Sequence, residues 1–363
     1  MKKMFDSKFS HGGDIWQVAE KYEILPDDVI DFSANINPWG VSLEVVEAVK
    51  KRLDTIFRYP DPECRRLTGI LSQMLRLNQK NILIGNGATE IIYLVMEALK
   101  PARVIVPCPT FTEYERAIKL AGGRVKYLYL KEENNFTLEV GRLIKEAKDA
   151  GMILLCNPNN PTGTILSRDK LCEVAHMSKK LGKFLVVDES FIDFQPECSI
   201  LDEVRKNSSL VILRSFTKFF SIAGLRLGYG VSSREVIEKM KSFKQPWTVN
   251  CLAQVAGVHI LQNMKKAEEM KEKLIKERDF LYKNLCKIEG IKPYPSQANF
   301  ILIKIKKASF SSSKLTEELI KRGILVRDCC NFPGLSDKFI RVAVRKREDN
   351  RKLIHHLSQI LGG

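Results

Sequence analysis

Short apolar, β-branched runs punctuate the first two thirds of the chain: NILIG (81–85), RVIVP (103–107), VKYLYL (125–130), MILLC (152–156), FLVVDE (184–189), LVILR (210–214) and LGYGV (227–231). Runs this short, with little polar alternation, are the pattern of strands buried on both faces. Between several of them lie amphipathic stretches, such as ATEIIYLVMEALK (88–100) and SRDKLCEVAHMSKKLGK (167–183). Strands alternating with helices predict βαβ units and a mostly parallel sheet in a three-layer α/β/α arrangement. From about residue 250 the pattern changes. A long helical stretch (250–288) precedes NFILIKI (299–305), a helix (313–322), ILVRD (324–328), FIRVAVR (339–345) and a final helix (347–361). That order predicts a smaller α+β domain. The expected organisation is an N-terminal arm over 1–50 that packs on the small domain, a large α/β domain over 51–250, and the small domain over 251–363. The arm precedes the first expected sheet strand. No internal repeat or low-complexity segment interrupts this order.

Polar residues gather just after the apolar runs. NPNNPTG (157–163) follows MILLC, Asp188 closes FLVVD, SFTK (215–218) follows LVILR, and NGATE (86–90) follows NILIG. In open α/β sheets ligands bind at the carboxyl ends of the strands, so these segments should converge. A lysine in an apolar place, Lys218 among Phe216, Phe219 and Phe220, has a lowered pKa and can form a Schiff base with a carbonyl. Asp188 can pair with a protonated ring nitrogen. The turn GNGATE (85–90) offers backbone N–H groups and a positive helix end to a phosphate. Ser215 and Arg226 add a hydroxyl and a guanidinium. Asn160 can bond a phenolic oxygen, and Phe111 can stack on a planar ring. Aldehyde, pyridinium, phenolate, phosphate and flat ring together describe pyridoxal 5'-phosphate. Taken singly, each residue has a plain alternative. A strand-end Asp caps a helix, NPNNPTG is a turn, Lys218 is a loop cation and Phe111 is core. Their joint occurrence, each at a strand end, leaves little room for that alternative.

The bulk composition narrows the setting. The net charge is +16. It is spread along the chain and often interleaved with Glu, as in KKAEEMKEKLIKER (265–278), the pattern of an exposed helix face. We read it as a solvated surface with some attraction for small anions, and expect no nucleic-acid partner. No apolar run has the length of a membrane span, so no membrane partner is expected. MKKMFDSKFSHGG (1–13) has no apolar core, so a secretory signal is not expected. Nine cysteines without any C-x-x-C pair fit free thiols in a reducing cytoplasm and suggest neither a zinc knuckle nor a redox motif; no metal is expected.

NPNNPTG, VVDESFIDF (186–194) and SFTKFFSIAGLRLGY (215–229) resemble the fold-type I, aspartate-aminotransferase-like enzymes, and the resemblance covers nearly the whole chain. It implies that Lys218 holds the cofactor covalently, Asp188 pairs with the pyridine nitrogen, Asn160 with the phenolic oxygen, and Phe111 stacks on the ring. It also implies that Gly87, Ala88, Thr89, Ser215, Thr217 and Arg226 hold the phosphate. Two groups within that superfamily share these motifs: histidinol-phosphate aminotransferases and the cobalamin-pathway L-threonine-O-3-phosphate decarboxylases. The second is similar also at HGGD (11–14), DFSANINPWG (31–40), RYPDPECRRL (58–67), QPWTVN (245–250) and RDCCNFPGL (327–335) followed by RVAVR (341–345). Aminotransferases usually carry tyrosine where Phe191 stands. The chain departs from the decarboxylases at Asp14, where they usually have Asn, and at Phe332, where they commonly have Tyr.

The resemblance implies a homodimeric, cytoplasmic carboxy-lyase with active sites at the subunit interface. It would convert L-threonine O-3-phosphate to (R)-1-amino-2-propanol O-2-phosphate and CO₂, for the nucleotide-loop linker of cobalamin. The open alternatives are histidinol-phosphate amino transfer and L-serine O-phosphate decarboxylation. Which bond to Cα breaks depends on which one stands perpendicular to the ring, a matter of positioning. Arg327 and Arg341 are the candidate clamps on the substrate's two anionic groups. The resemblance adds His11, Asn35, Tyr59 and Asn160 as substrate contacts, Tyr59 from the second subunit. A pyridoxal-phosphate-binding regulator is disfavoured, because the first fifty residues hold no evident helix-turn-helix.

Overall fold

In the computed structural model, which describes residues 11–362, thirteen strands in three sheets, β1 to β13 in chain order, are assigned among the described residues. The first strand, β1 (Ile30–Asp31), lies in the N-terminal segment and pairs in parallel with Ile324–Leu325. The expectation that the first fifty residues precede every sheet strand is therefore corrected. Ile30 and the buried Phe32 join a core cluster with Ile301, Ile340 and Leu353, so apolar burial carries this segment onto the C-terminal elements.

The large sheet holds β2 (Ile82–Asn86), β3 (Arg103–Cys108), β4 (Arg124–Tyr129), β5 (Met152–Cys156), β6 (Phe184–Asp188), β7 (Leu210–Ser215) and β8 (Leu227–Val231). Its order is β2-β8-β7-β6-β5-β3-β4. The pairs β3–β4, β3–β5, β5–β6 and β6–β7 are parallel, and only β8 runs against its neighbours. Alternate residues feed two cores: Leu155, Val187 and Ile212 on one face, Leu154, Val186 and Val211 on the other. Burial on both faces is why the strands inside the sheet read as continuous apolar runs, whereas the edge strand β4 is largely half-buried.

The C-terminal sheet runs β12-β13-β10-β9, with β9 (Ile291–Pro293), β10 (Phe300–Ile305), β12 (Arg327–Asp328) and β13 (Phe339–Ala343). ILVRD, expected as one strand, divides at the buried Val326. Ile324–Leu325 (β11) joins β1, and Arg327–Asp328 joins β13. The helical stretch 250–288 is likewise two helices, Cys251–Gln262 and Lys265–Leu285. The break falls at Asn263, which has φ −121° and ψ 32°, and whose amide donates to the His259 carbonyl at 2.8 Å. Such side-chain competition for backbone acceptors disfavours a helix interior.

Candidate active site

Strands β2, β3, β5, β6 and β7 end on one edge of the large sheet. There Gly87, Phe111, Asn160, Asp188 and Ser215 follow or close them, and antiparallel β8 begins there, after Arg226. A cavity of about 400 Å³ opens on this edge. Ala88, Thr89, Phe111, Asn160, Asp188, Ser215, Thr217, Lys218 and Arg226 all line it.

Gly87 opens the helix Gly87–Leu99 with φ +75°, a conformation that favours glycine. A Cβ there would lie 2.7 Å from Arg226 Nη2. Gly228 is tighter still. A Cβ on it would meet the Ala88 amide nitrogen at 2.4 Å, so β8 can lie against this turn only as glycine. Beside the turn, the Ser215 and Thr217 hydroxyls are 2.7 Å apart. A helix N-terminus, two hydroxyls and a guanidinium form a cradle suited to a phosphate.

Asp188 is buried. Its Oδ1 accepts from the Ser190 amide at 2.9 Å and hydroxyl at 2.5 Å, and its Oδ2 accepts from Tyr114 Oη at 2.7 Å. Burial still raises its pKa above the ordinary value, against those bonds and the charge of Lys218. A buried carboxylate under-compensated in this way suits a cationic ligand group. Lys218 is partly buried, and its pKa falls to about 8. Burial is the main cause, followed by the charges of Arg341 and Arg226, with Asp188 opposing. Lysine, carboxylate and anion cradle fit the aldehyde, ring nitrogen and phosphate of pyridoxal phosphate.

The C-terminal sheet supplies the opposite wall. Arg327 and Arg341 are partners in register across β12 and β13, and both line the cavity. Arg341 donates through Nη1 to Asn160 Oδ1 and through Nη2 to the Ser33 carbonyl at 2.6 Å. Among the described residues, its Nε is buried without a hydrogen-bond partner, as is Asn35 Oδ1. Burial lowers the Arg341 pKa to about 10. Arg327 donates through Nη2 to Asn331 Oδ1 at 2.8 Å, and its guanidinium lies 5.2 Å from the Phe332 ring centroid. His11, Asn35 and Phe191 complete this side.

Tyr59 is not brought into the cavity. It is 79% exposed and stacks on Trp247 at 4.7 Å. Four residues of the site escape the sequence reading: Tyr114 and Ser190, which bind Asp188, Glu113, which meets His11, and Gly228. Tyr114 carries only a weak signal: it stands three positions after Phe111, in the first turn of the helix Glu113–Leu120, and its ring lies 5.6 Å from that of Phe111. Gly228 carries no local signal, since its need is set by a turn distant in sequence.

This fold and site define a pyridoxal-phosphate enzyme of fold type I. Residues 27–357 match the family aminotransferase class I and II. The threonine-phosphate decarboxylase of Salmonella typhimurium is 37% identical over 356 residues, spanning 98% of this chain and 97% of that protein. The histidinol-phosphate aminotransferase of Methanococcus aeolicus is 35% identical over 350 residues, spanning 95% and 93%. The crystal structure of the histidinol-phosphate aminotransferase from Clostridium acetobutylicum aligns with a TM-score of 0.85 at 33% identity, covering 91% of this chain and 98% of that one. The chain belongs to the class I and II aminotransferase family, and its cofactor is pyridoxal 5'-phosphate.

Proposed function

We propose that the protein is a carboxy-lyase that converts L-threonine O-3-phosphate to (R)-1-amino-2-propanol O-2-phosphate and CO₂. The observation that carries this reading is the wall facing Lys218. There the His11–Gly12 segment folds into the cavity beside two buried arginines, Arg327 and Arg341. A substrate bearing both a carboxylate and a phosphate suits two guanidiniums held side by side. Phe191 offers no hydroxyl where the aminotransferases usually carry tyrosine.

In this reading Gly87, Ala88, Thr89, Ser215, Thr217 and Arg226 hold the cofactor phosphate. Asp188 holds the ring nitrogen, Asn160 the phenolic oxygen, Phe111 the ring face, and Lys218 the carbonyl carbon. Bound pyridoxal phosphate supplies a sink for the electron pair left at Cα. The residues of this chain do the rest. Arg341, fixed by Asn160 and the Ser33 carbonyl, and Arg327 orient the substrate so that the Cα–carboxylate bond is the one that breaks. CO₂ leaves, and Lys218 delivers a proton to Cα in its place. His11 and Asn35 face the substrate's anionic end, and Tyr59, exposed on its own chain, reaches the cavity of a second copy in a homodimer.

Histidinol-phosphate amino transfer is the second reading, favoured by the 35% identity to the Methanococcus aeolicus enzyme. The test is turnover of L-threonine O-3-phosphate with pyridoxal phosphate and no keto acid. The expected result is one CO₂ per phosphoamine formed. Turnover of histidinol phosphate that requires 2-oxoglutarate and releases no CO₂ overturns the proposal.

A further inference from the structure

Glu113 is a carboxylate that the reaction scheme leaves without a task. It is 5% exposed and lines a cavity whose other charged side chains are the carboxylate of Asp188 and the cations Arg116, Lys218, Arg226, Arg327 and Arg341. An unneutralised carboxylate at that place would repel an anionic substrate. Its position at the start of the helix Glu113–Leu120 would by itself make it a helix-dipole residue. Its oxygens, however, are turned to other elements. Oε1 lies 2.9 Å from His11 Nε2, and Oε2 accepts from Tyr93 Oη at 2.5 Å, with Arg116 Nη1 3.8 Å from Oε1. Burial pushes the Glu113 carboxyl up, but the hydrogen bonds from His11 and Tyr93 outweigh it and hold it below the ordinary value.

The His11 segment is held at a second point. Gly13 N donates to Ser33 Oγ at 2.7 Å, and a Cβ on Gly12 would lie 2.3 Å from the Ser33 carbonyl oxygen. That carbonyl is the acceptor of Arg341. The His11 ring also rests 5.6 Å from the Phe111 ring. One end of the segment is thus fixed near Arg341 and the other at Glu113, with the imidazole between them over the cavity. Among the described residues, the Phe111 contact alone would hold the ring end without Glu113.

We propose that Glu113, itself oriented by Tyr93, is the positioning residue for His11: it anchors the segment from His11 to Gly13 across the cavity so that the imidazole faces the substrate's phosphate. This rests on the reading of the substrate as a phosphoamino acid.

The test is a double-mutant cycle of Glu113→Gln and His11→Ala in the pyridoxal-phosphate-loaded enzyme, with two readouts. The first is hydrogen exchange of the peptide containing His11–Asp14, without substrate. The second is KM and kcat for L-threonine O-3-phosphate. The cofactor absorbance serves as the folding control. Glu113→Gln is expected to speed exchange of that peptide roughly tenfold and to raise KM roughly tenfold at nearly unchanged kcat. The double variant is expected to be no worse in KM than His11→Ala alone. Wild-type exchange in Glu113→Gln, or KM effects that multiply, overturns the proposal. If Glu113→Gln does not fold, Tyr93→Phe is expected to move both readouts in the same direction by a smaller factor, and no change there overturns it equally. If L-threonine O-3-phosphate is not turned over at all, the functional reading fails while the exchange result still decides the anchoring.

Discussion

The lysine at the end of β7 makes the sharpest quantitative demand. Its pKa near 8 arises first from burial, then from Arg341 and Arg226. At pH 7 about a tenth of Lys218 is then the free amine, against roughly three in ten thousand for a lysine at its ordinary value, a gain of about 300-fold in nucleophile. Apoenzyme mixed with pyridoxal phosphate in a stopped-flow cell, followed at the absorbance band of the lysine-bound cofactor, reports that fraction as a capture rate. The rate is expected to climb about tenfold from pH 7 to pH 9, with a midpoint near 8, and then to level. Linkage gives an independent sign. The folded value is depressed, so between about pH 8 and 10.5 the unfolded chain binds more protons, and Lys218 makes apoenzyme stability rise with pH across that window. Arg341→Gln removes a like charge and should move the capture midpoint upward. A capture rate still growing tenfold per pH unit above pH 9 would refute the argument, because it would mean that Lys218 titrates as an ordinary surface lysine.

Three further predictions concern the supports of the site. Gly228→Ala places a Cβ 2.4 Å from the Ala88 nitrogen and must displace the phosphate turn. Overpacking of this kind costs about 1–3 kcal/mol, so the Kd for pyridoxal phosphate, measured by fluorescence, should rise by about fivefold or more, and an unchanged Kd sinks the cradle assignment. Tyr114→Phe removes the donor 2.7 Å from Asp188 Oδ2, a charge-assisted bond worth about 1.5–3 kcal/mol. Cofactor retention on dialysis should fall by roughly tenfold or more, and full retention would show that Tyr114 does not support Asp188. Glu189, fully buried behind the site, pairs with Arg214 Nε at 2.7 Å and accepts from the Ser199 hydroxyl at 2.8 Å. Glu189→Gln leaves that guanidinium under-compensated and should lower denaturant stability by about 3 kcal/mol; a loss below about 0.5 kcal/mol would count against it.

What could be read from the chain, and what could not, divides along physical lines. The inner strands of the large sheet were legible because they are buried on both faces, so Leu154 and Leu155 alike had to be apolar. The convergence of Asn160, Asp188, Ser215 and Lys218 on one sheet edge was legible because each closes an apolar run or follows one within four residues. β1 was not legible: Ile30–Asp31 is two residues long, and its pairing with Ile324 spans most of the chain. The division at Val326 depends on which neighbour each side meets, and no local pattern reports that; the break at Asn263 is local, an asparagine side chain bonded to the His259 carbonyl, but a lone Asn in a long helical stretch is a weak signal. The resemblance brought in His11, but its partner Glu113 lies 102 positions away and carries no motif. Gly228 is the clearest case. A glycine in a strand reads as a weakness, and only the turn pressed against it shows why no side chain fits.

The central claim is that this site breaks the Cα–carboxylate bond of a phosphoamino acid and returns a solvent proton to Cα. Incubation of the loaded enzyme with L-threonine O-3-phosphate in D₂O, followed by NMR, tests it directly. The account predicts a phosphoamine that keeps its original Cα hydrogen and gains one deuterium at that carbon, together with an equal amount of CO₂. Recovered substrate with its Cα hydrogen exchanged for deuterium, and no CO₂ released, would contradict it.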